Sequence, residues 1–284
     1  MGLLGDDPPA TAPPRDTVEA WCLDWLETTD LARKLRPGPV PADDVLDWET
    51  GAPARRVARP GRSSALSIVG RSPRTPRGQA LRDGGVRARL VHTFLHHELQ
   101  AAELFAWAVL AFPGTPRAFR RGLLRLAQEE LDHLELYHAH LERLGHAYGD
   151  FPVRDWFWER VPRCRDATEF VALVGLGLEG ANLEHSARFA EEFRAAGDEE
   201  GARILERVER EEVAHVAFAV KWFRRFAGEL DYERWAEALP APITPSLLRG
   251  RPLNHTARQA AGMDADFLAR LAKAPATSRS QGKR

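Results

Sequence analysis

A glutamate followed three residues later by a histidine occurs twice in this chain, as Glu130-Leu-Asp-His133 and as Glu212-Val-Ala-His215. On a helix, a spacing of three stacks both side chains on one face. Each pair is preceded by a further glutamate. Glu98 stands 32 positions before Glu130, and Glu179 stands 33 before Glu212. The chain therefore repeats one layout, Glu then Glu-x-x-His. Carboxylates are hard anionic ligands that neutralise and bridge divalent ions, and imidazole is a neutral nitrogen ligand suited to iron. Two such half-sites supply the donors of di-iron and di-manganese carboxylate bundles. The predicted metal ligands are Glu98, Glu130, His133, Glu179, Glu212 and His215.

The elements that must carry these residues are long helices. Helical periodicity runs from about Val86 to Phe112, from Arg117 to about His146, from about Ala167 to Ala196, and from Glu199 to about Phe226. FPGTP breaks the first from the second, and Gly197-Asp198 breaks the third from the fourth. Reflection about Gly114 puts Glu98 and Glu130 at the same height of an antiparallel pair. Reflection about Gly197 puts Glu179 within a turn of Glu212 and His215. The ligands lie in apolar stripes: Glu98 with Val91, Leu95, Ala102 and Phe105, Glu130 and His133 with Leu126, Leu134 and Leu141, and Glu212 and His215 with Leu205, Val208 and Ala219. Carboxylates buried there are costly unless paired or metal-bound.

A rival pair exists. Glu103 and Glu184 each follow their partner glutamate by five residues, a rotation of roughly 140° on a helix. Their stripes are more polar, so they are expected to pair with arginine or to support the ligands from behind, as is His96. Tyr137, one turn beyond His133, is the candidate redox-active side chain. Gly175, Gly177 and Gly180 cost helix stability. They either leave room for oxygen or substrate, or allow close helix contact.

The predicted fold is all-α, a ferritin-like four-helix bundle over residues 86–228. An N-terminal helix from Thr17 to about Leu35 and an extended arm fill 16–85. Accessory helices, Thr256–Lys273 among them, occupy 229–273. Residues 1–15 and 274–284 are expected to be disordered or loose. Residues 36–85 are rich in Pro, Gly and Arg. From Arg55 to Arg89 there are ten arginines against one acid, Asp83. The favoured role of these arginines is to clamp the arm onto acidic helix faces such as 191–212. The alternative is a phosphate-bearing substrate such as tRNA.

Net charge is −1, so nothing global argues for nucleic acid or an acidic membrane. Two cysteines give no disulfide framework and no sulfur-rich metal site. No signal peptide is visible, and no apolar run reaches the roughly 18 residues of a membrane span. A cytoplasmic protein, with a homodimer as an admissible assembly, is the expectation.

The stretches HHELQAAEL, EELDHLELYHAHLERLG, YGDFPVRDWFWE, LEGANLEH, EEVAHVAFAVKWF and RGRPLNHTARQAAGM resemble the ferritin-like family catalogued as domain-of-unknown-function family 455. The resemblance spans roughly residues 17–273. It implies the ferritin-like fold and a dimetal centre at the six ligands above, and no settled substrate. More distantly the chain is similar to di-iron tRNA hydroxylases and to rubrerythrins. A rubrerythrin would carry a four-cysteine iron domain, which two cysteines exclude. The leading expectation is a dioxygen-dependent oxidase or hydroxylase. It would hold two iron ions, or manganese or a mixed pair, with dioxygen as co-substrate. It would act on a small-molecule substrate and draw on an external electron donor, since no flavin or nicotinamide fingerprint appears. The alternatives are a ferroxidase or iron-handling protein and a peroxide-consuming dimanganese protein.

Overall fold

Helix signals recur along the chain at the positions where polar caps precede apolar runs. A computed structural model describes residues 12–42, 45–71 and 75–275. Among these the structure is all-α, with only two isolated bridges, Thr17 to Asp47 and Ile68 to Val153. The helices, in order, are α1 Val18–Glu27, α2 Leu31–Leu35, α3 Gly84–Ala111, α4 Arg117–Arg143, α5 Ala167–Phe170, α6 Gly180–Ala195, α7 Glu199–Ala227, α8 Tyr232–Glu237, α9 His255–Ala260 and α10 Ala265–Lys273. None of them is long and apolar enough to cross a membrane. Most of the expected loose ends, residues 1–11 and 276–284, lie outside the described residues.

The chain divides into two units. The first holds the described residues of 1–72, 93–135 and 148–162; the second holds those of 73–92, 136–147 and 163–275. Helices α3 and α4 contribute residues to both.

In the first unit the expected single N-terminal helix is two. Asp30 interrupts it by accepting from the backbone N–H groups of Ala32 and Arg33, which starts α2 as a capped helix of its own. Lys34 then folds back, its Nζ donating to the carbonyls of Trp25 and Leu26 at 2.8 and 2.9 Å. A cation there satisfies the free carbonyls at the end of α1. Among its described residues the arm beyond has no α-helix before α3, as its Pro and Gly content predicts. It is tied down by backbone bonds, Gly61 N–H to Leu26 and Arg55 N–H to Leu110 among them.

In the second unit α6 packs on α7, and α9 packs on both. Asp198 caps α7 through the Gly201 N–H at 2.8 Å. The expected accessory helix 256–273 is again two, α9 and α10. Gly262 turns the chain with φ +96°, and Asp264 caps α10 through the Phe267 N–H. The helix expected over 167–196 is not α throughout, because residues Val171–Glu179 form a π-helical stretch between α5 and α6. Such segments are uncommon and gather at functional sites. Its Ala172 carbonyl accepts from the indole of the buried Trp235 at 3.0 Å, which docks α8 there.

The glycines of this stretch serve close contact. A Cβ on Gly175 would stand 2.4 Å from Ala219 Cβ, one on Gly177 2.7 Å from Leu248 Cδ1, and one on Gly180 2.8 Å from Arg258 Nη1. Of the two roles left open by the sequence, the structure gives them this one. Because the Ala219 methyl is fixed on α7, Gly175→Ala should destabilise the protein by about 1–3 kcal/mol through overpacking. Gly175→Ala combined with Ala219→Gly should recover much of that loss in a thermal melt.

Candidate metal centre

The first unit brings Glu98 of α3 together with Glu130 and His133 of α4. One ligand atom from each lies within 4.8 Å of the others, and all three residues are buried. The second unit brings Glu179, the last residue of the π stretch, together with Glu212 and His215 of α7 at the same mutual limit. These three are also buried. The i, i+3 stacking is visible in each pair. Glu130 Oε2 lies 3.7 Å from His133 Nδ1, and Glu212 Oε2 lies 3.0 Å from His215 Nδ1. Two carboxylates this close in a dry core repel one another and are relieved by a cation, for which the neutral imidazole beside them is a further ligand. Oxygen and nitrogen donors without thiolate suit iron or manganese. The residues present therefore fit a metal ion in each triad.

The rival glutamates have other partners. Glu103, fully buried, accepts from Lys34 Nζ at 2.8 Å, from both terminal nitrogens of Arg62 at 2.7 and 2.8 Å, and from Trp158 Nε1 at 2.8 Å. Glu184 accepts from Arg258 Nε and Nη2 at 2.7 and 2.8 Å, and from the backbone N–H groups of Gly250 and Asn254. Each is a charge-assisted fork from an arginine outside the long helices, reinforced by two more donors. Burial alone does not separate the two glutamate sets. His92, His96 and Gln100 on the polar stripe of α3 are as buried as the apolar one. The partners separate them instead.

His96 belongs to the Glu103 network. Its Nδ1 lies 2.6 Å from the Tyr148 hydroxyl and its Nε2 lies 3.2 Å from Asp155 Oδ1. Burial lowers its pKa against the pull of Asp155. Asp155 also accepts from Arg62 at 2.8 Å. Burial would raise the Asp155 carboxyl, but bonds from His96 and Arg62 outweigh it and hold it below the usual range. Glu103 behaves alike: burial is overcome by the charges and hydrogen bonds of Arg62 and Lys34, and its pKa falls. His97 stacks near Phe157 at 5.0 Å, and Tyr137 is buried on α4 one turn from His133.

Several of the arginines from Arg55 to Arg89 have partners within the protein. Arg62 grips Glu103 and Asp155, Arg55 pairs with Glu49 at 2.6 Å, and Arg56 lies over the rings of Trp107 and Phe112. Arg62 thus ties the arm to Glu103 of α3 and to Asp155, acids outside 191–212. From that stretch Asp198 pairs with Arg87 at 3.3 Å, and Glu192 accepts from the Gly78 N–H. The sequence did not single out Asn182, whose amide donates to Glu212, nor Arg62, Lys34 and Arg258 as the partners of the rival glutamates. The one signal for Asn182 was its position three residues after Glu179 on the same helical face.

An all-α protein with buried Glu/His groups that could hold metal is the class so defined. The chain belongs to the family described as "Protein of unknown function (DUF455)", whose model matches residues 23–269. It is similar to a protein of Haemophilus influenzae described as an uncharacterized protein, with 31% identity over 144 residues. That match covers 48% of this chain and 50% of the relative, so the chain spans about half the length of the curated relative it matches. No solved structure matches the chain.

The two glutamate sets should respond differently to removal of charge. Glu98→Gln should weaken metal binding, whereas Glu103→Gln should keep it and lose stability, since it leaves buried Lys34 and Arg62 undercompensated. Breaking a buried pair this way costs roughly 3–5 kcal/mol. The lowered pKa values of Glu103 and Asp155 set the pH sign. Their stabilisation is fully present above the unfolded carboxylate pKa of roughly 4 and is lost as pH falls below it. Urea unfolding from pH 7 to pH 3 should therefore show a smaller acid loss in Glu103→Gln than in the parent.

Proposed function

We propose that this chain is a dimetal carboxylate protein whose two ions serve a dioxygen-dependent oxidase or hydroxylase. The observation that supports this reading best is the pair of buried Glu, Glu, His triads, built from the same chain layout in both halves. Glu98, Glu130 and His133 would hold one ion, and Glu179, Glu212 and His215 the other. An iron pair, when bound, supplies electrons for reaction with dioxygen.

The protein's own contribution is to hold and exclude. Three side chains per ion leave a ligand position for a small molecule. The apolar surroundings of the triads, with Leu95, Ala102, Leu134, Val208 and Val216 all buried, keep bulk water from the site. A mixed nitrogen and oxygen donor set retains iron more firmly than oxygen alone, which favours a resident cofactor over a transit site. With no nicotinamide or flavin fingerprint in the sequence, electrons would come from an external donor.

Elemental analysis after anaerobic loading with ferrous iron should give two ions per chain; a ceiling of one, or none, contradicts the reading. His133→Ala and His215→Ala should each lose metal while keeping helical content. Titration with excess ferrous iron in air then separates enzyme from iron handling. A resident cofactor predicts that oxidation stops near two equivalents unless a reductant is added. Sustained oxidation of many equivalents, with mineral formation, would overturn the oxidase reading in favour of a ferroxidase.

A further inference from the structure

The buried glutamates Glu103, Glu184 and Glu212 are held by two kinds of donor. Arginine forks hold Glu103 and Glu184, and their charge is thereby cancelled. Glu212 is held by a neutral group. Asn182 Nδ2 donates to Glu212 Oε1 at 3.1 Å, and the Ser186 hydroxyl donates to Asn182 Oδ1 at 3.1 Å. The direction of this chain is fixed by chemistry. A carboxylate only accepts, so the amide must present its nitrogen to Glu212 and its oxygen to Ser186. Asn182 and Ser186 are four apart on α6, which places both on the face that carries Glu179.

A neutral donor has a different consequence from an arginine. It fixes the rotation of the carboxylate and occupies one oxygen, but it leaves the negative charge for something else. The other oxygen, Oε2, stands 3.0 Å from His215 Nδ1, within the second triad. The place in the first half that corresponds to Asn182, three residues after Glu98, is Ala101, and that corresponding to Ser186 is Phe105. This hydroxyl–amide–carboxylate chain is therefore written into one half of the repeat only.

We propose that Asn182, oriented by Ser186, is a positioning residue that presents Glu212 to the ion of the second triad and raises the affinity of that ion. The proposal rests on the reading that each triad holds one metal. Groups that orient a metal ligand from behind commonly contribute 10- to 100-fold to affinity.

Cobalt(II) is the probe, bound to the full-length metal-free protein and competed away with a chelator. The parent should bind two ions. In Asn182→Ala the ion of the second triad should weaken by roughly 10- to 100-fold. The visible absorption of the weakened ion should shift as its carboxylate rotates. Ser186→Ala should weaken the same ion by a smaller factor, because the amide survives but loses its orientation. This second variant carries the test if Asn182→Ala does not fold. Far-ultraviolet dichroism of both metal-free variants should match the parent. Unchanged affinity and spectrum in these variants would overturn the proposal, as would weakening accompanied by lost helical dichroism in the metal-free variants, which marks a merely structural role. A parent that binds no cobalt or other divalent metal would instead overturn the two-ion reading itself and the proposal with it.

Discussion

The burial of carboxylates is the constraint on which this structure depends. A carboxylate removed from water is tolerated only if a cation or several hydrogen-bond donors replace what water supplied. The long helices bury glutamates in two kinds of place. Glu103 and Glu184 are met by Arg62 and Arg258, with Lys34, Trp158 and two backbone amides completing their shells. Glu98, Glu130, Glu179 and Glu212 are gathered with His133 and His215 in two triads. In the proposed reading the cations that answer these four are metal ions.

This division gives a physical reason for the segments that lie outside the four long helices. The arm carries Arg62 to Glu103, and the segment Gly250–Arg258 wraps Glu184 with two amides and a guanidinium. Gly250 is needed there because a Cβ would stand 2.1 Å from Glu184 Cβ. The accessory segments thus do for one glutamate of each half what metal is proposed to do for the others. The repeat of Glu98 with Glu103, and of Glu179 with Glu184, is a repeat of both solutions.

Much of this was legible in the sequence because it is local. A Glu-x-x-His spacing, a helix length and a Gly-Asp stop are each settled within a few turns, and the long helices begin and end within a few residues of their expected limits. What was not legible depends on distant partners or on hydrogen-bond register. VALVGLGL is apolar without interruption, so its periodicity does not tell a π stretch from an α-helix. The arm's excess of arginine was plain, but which of ten would grip Glu103 was not, since the choice depends on where an irregular segment crosses a helix. The breaks at Asp30 and Gly262 were missed for a simpler reason: apolar spacing continues across them while caps and a positive φ end the helix. Asn182 matters only through Glu212, 30 residues away.

The central claim, that metal compensates the carboxylates of the triads, is tested most directly by stability. Chemical unfolding would be followed at neutral pH over a series of manganese(II) concentrations, starting from the metal-free protein. Compensation predicts an unfolding free energy that rises with free metal, by about 2.7 kcal/mol at a hundredfold excess over the dissociation constant of one site. A stability that does not change with manganese, nor with anaerobic ferrous iron in its place, would contradict the claim.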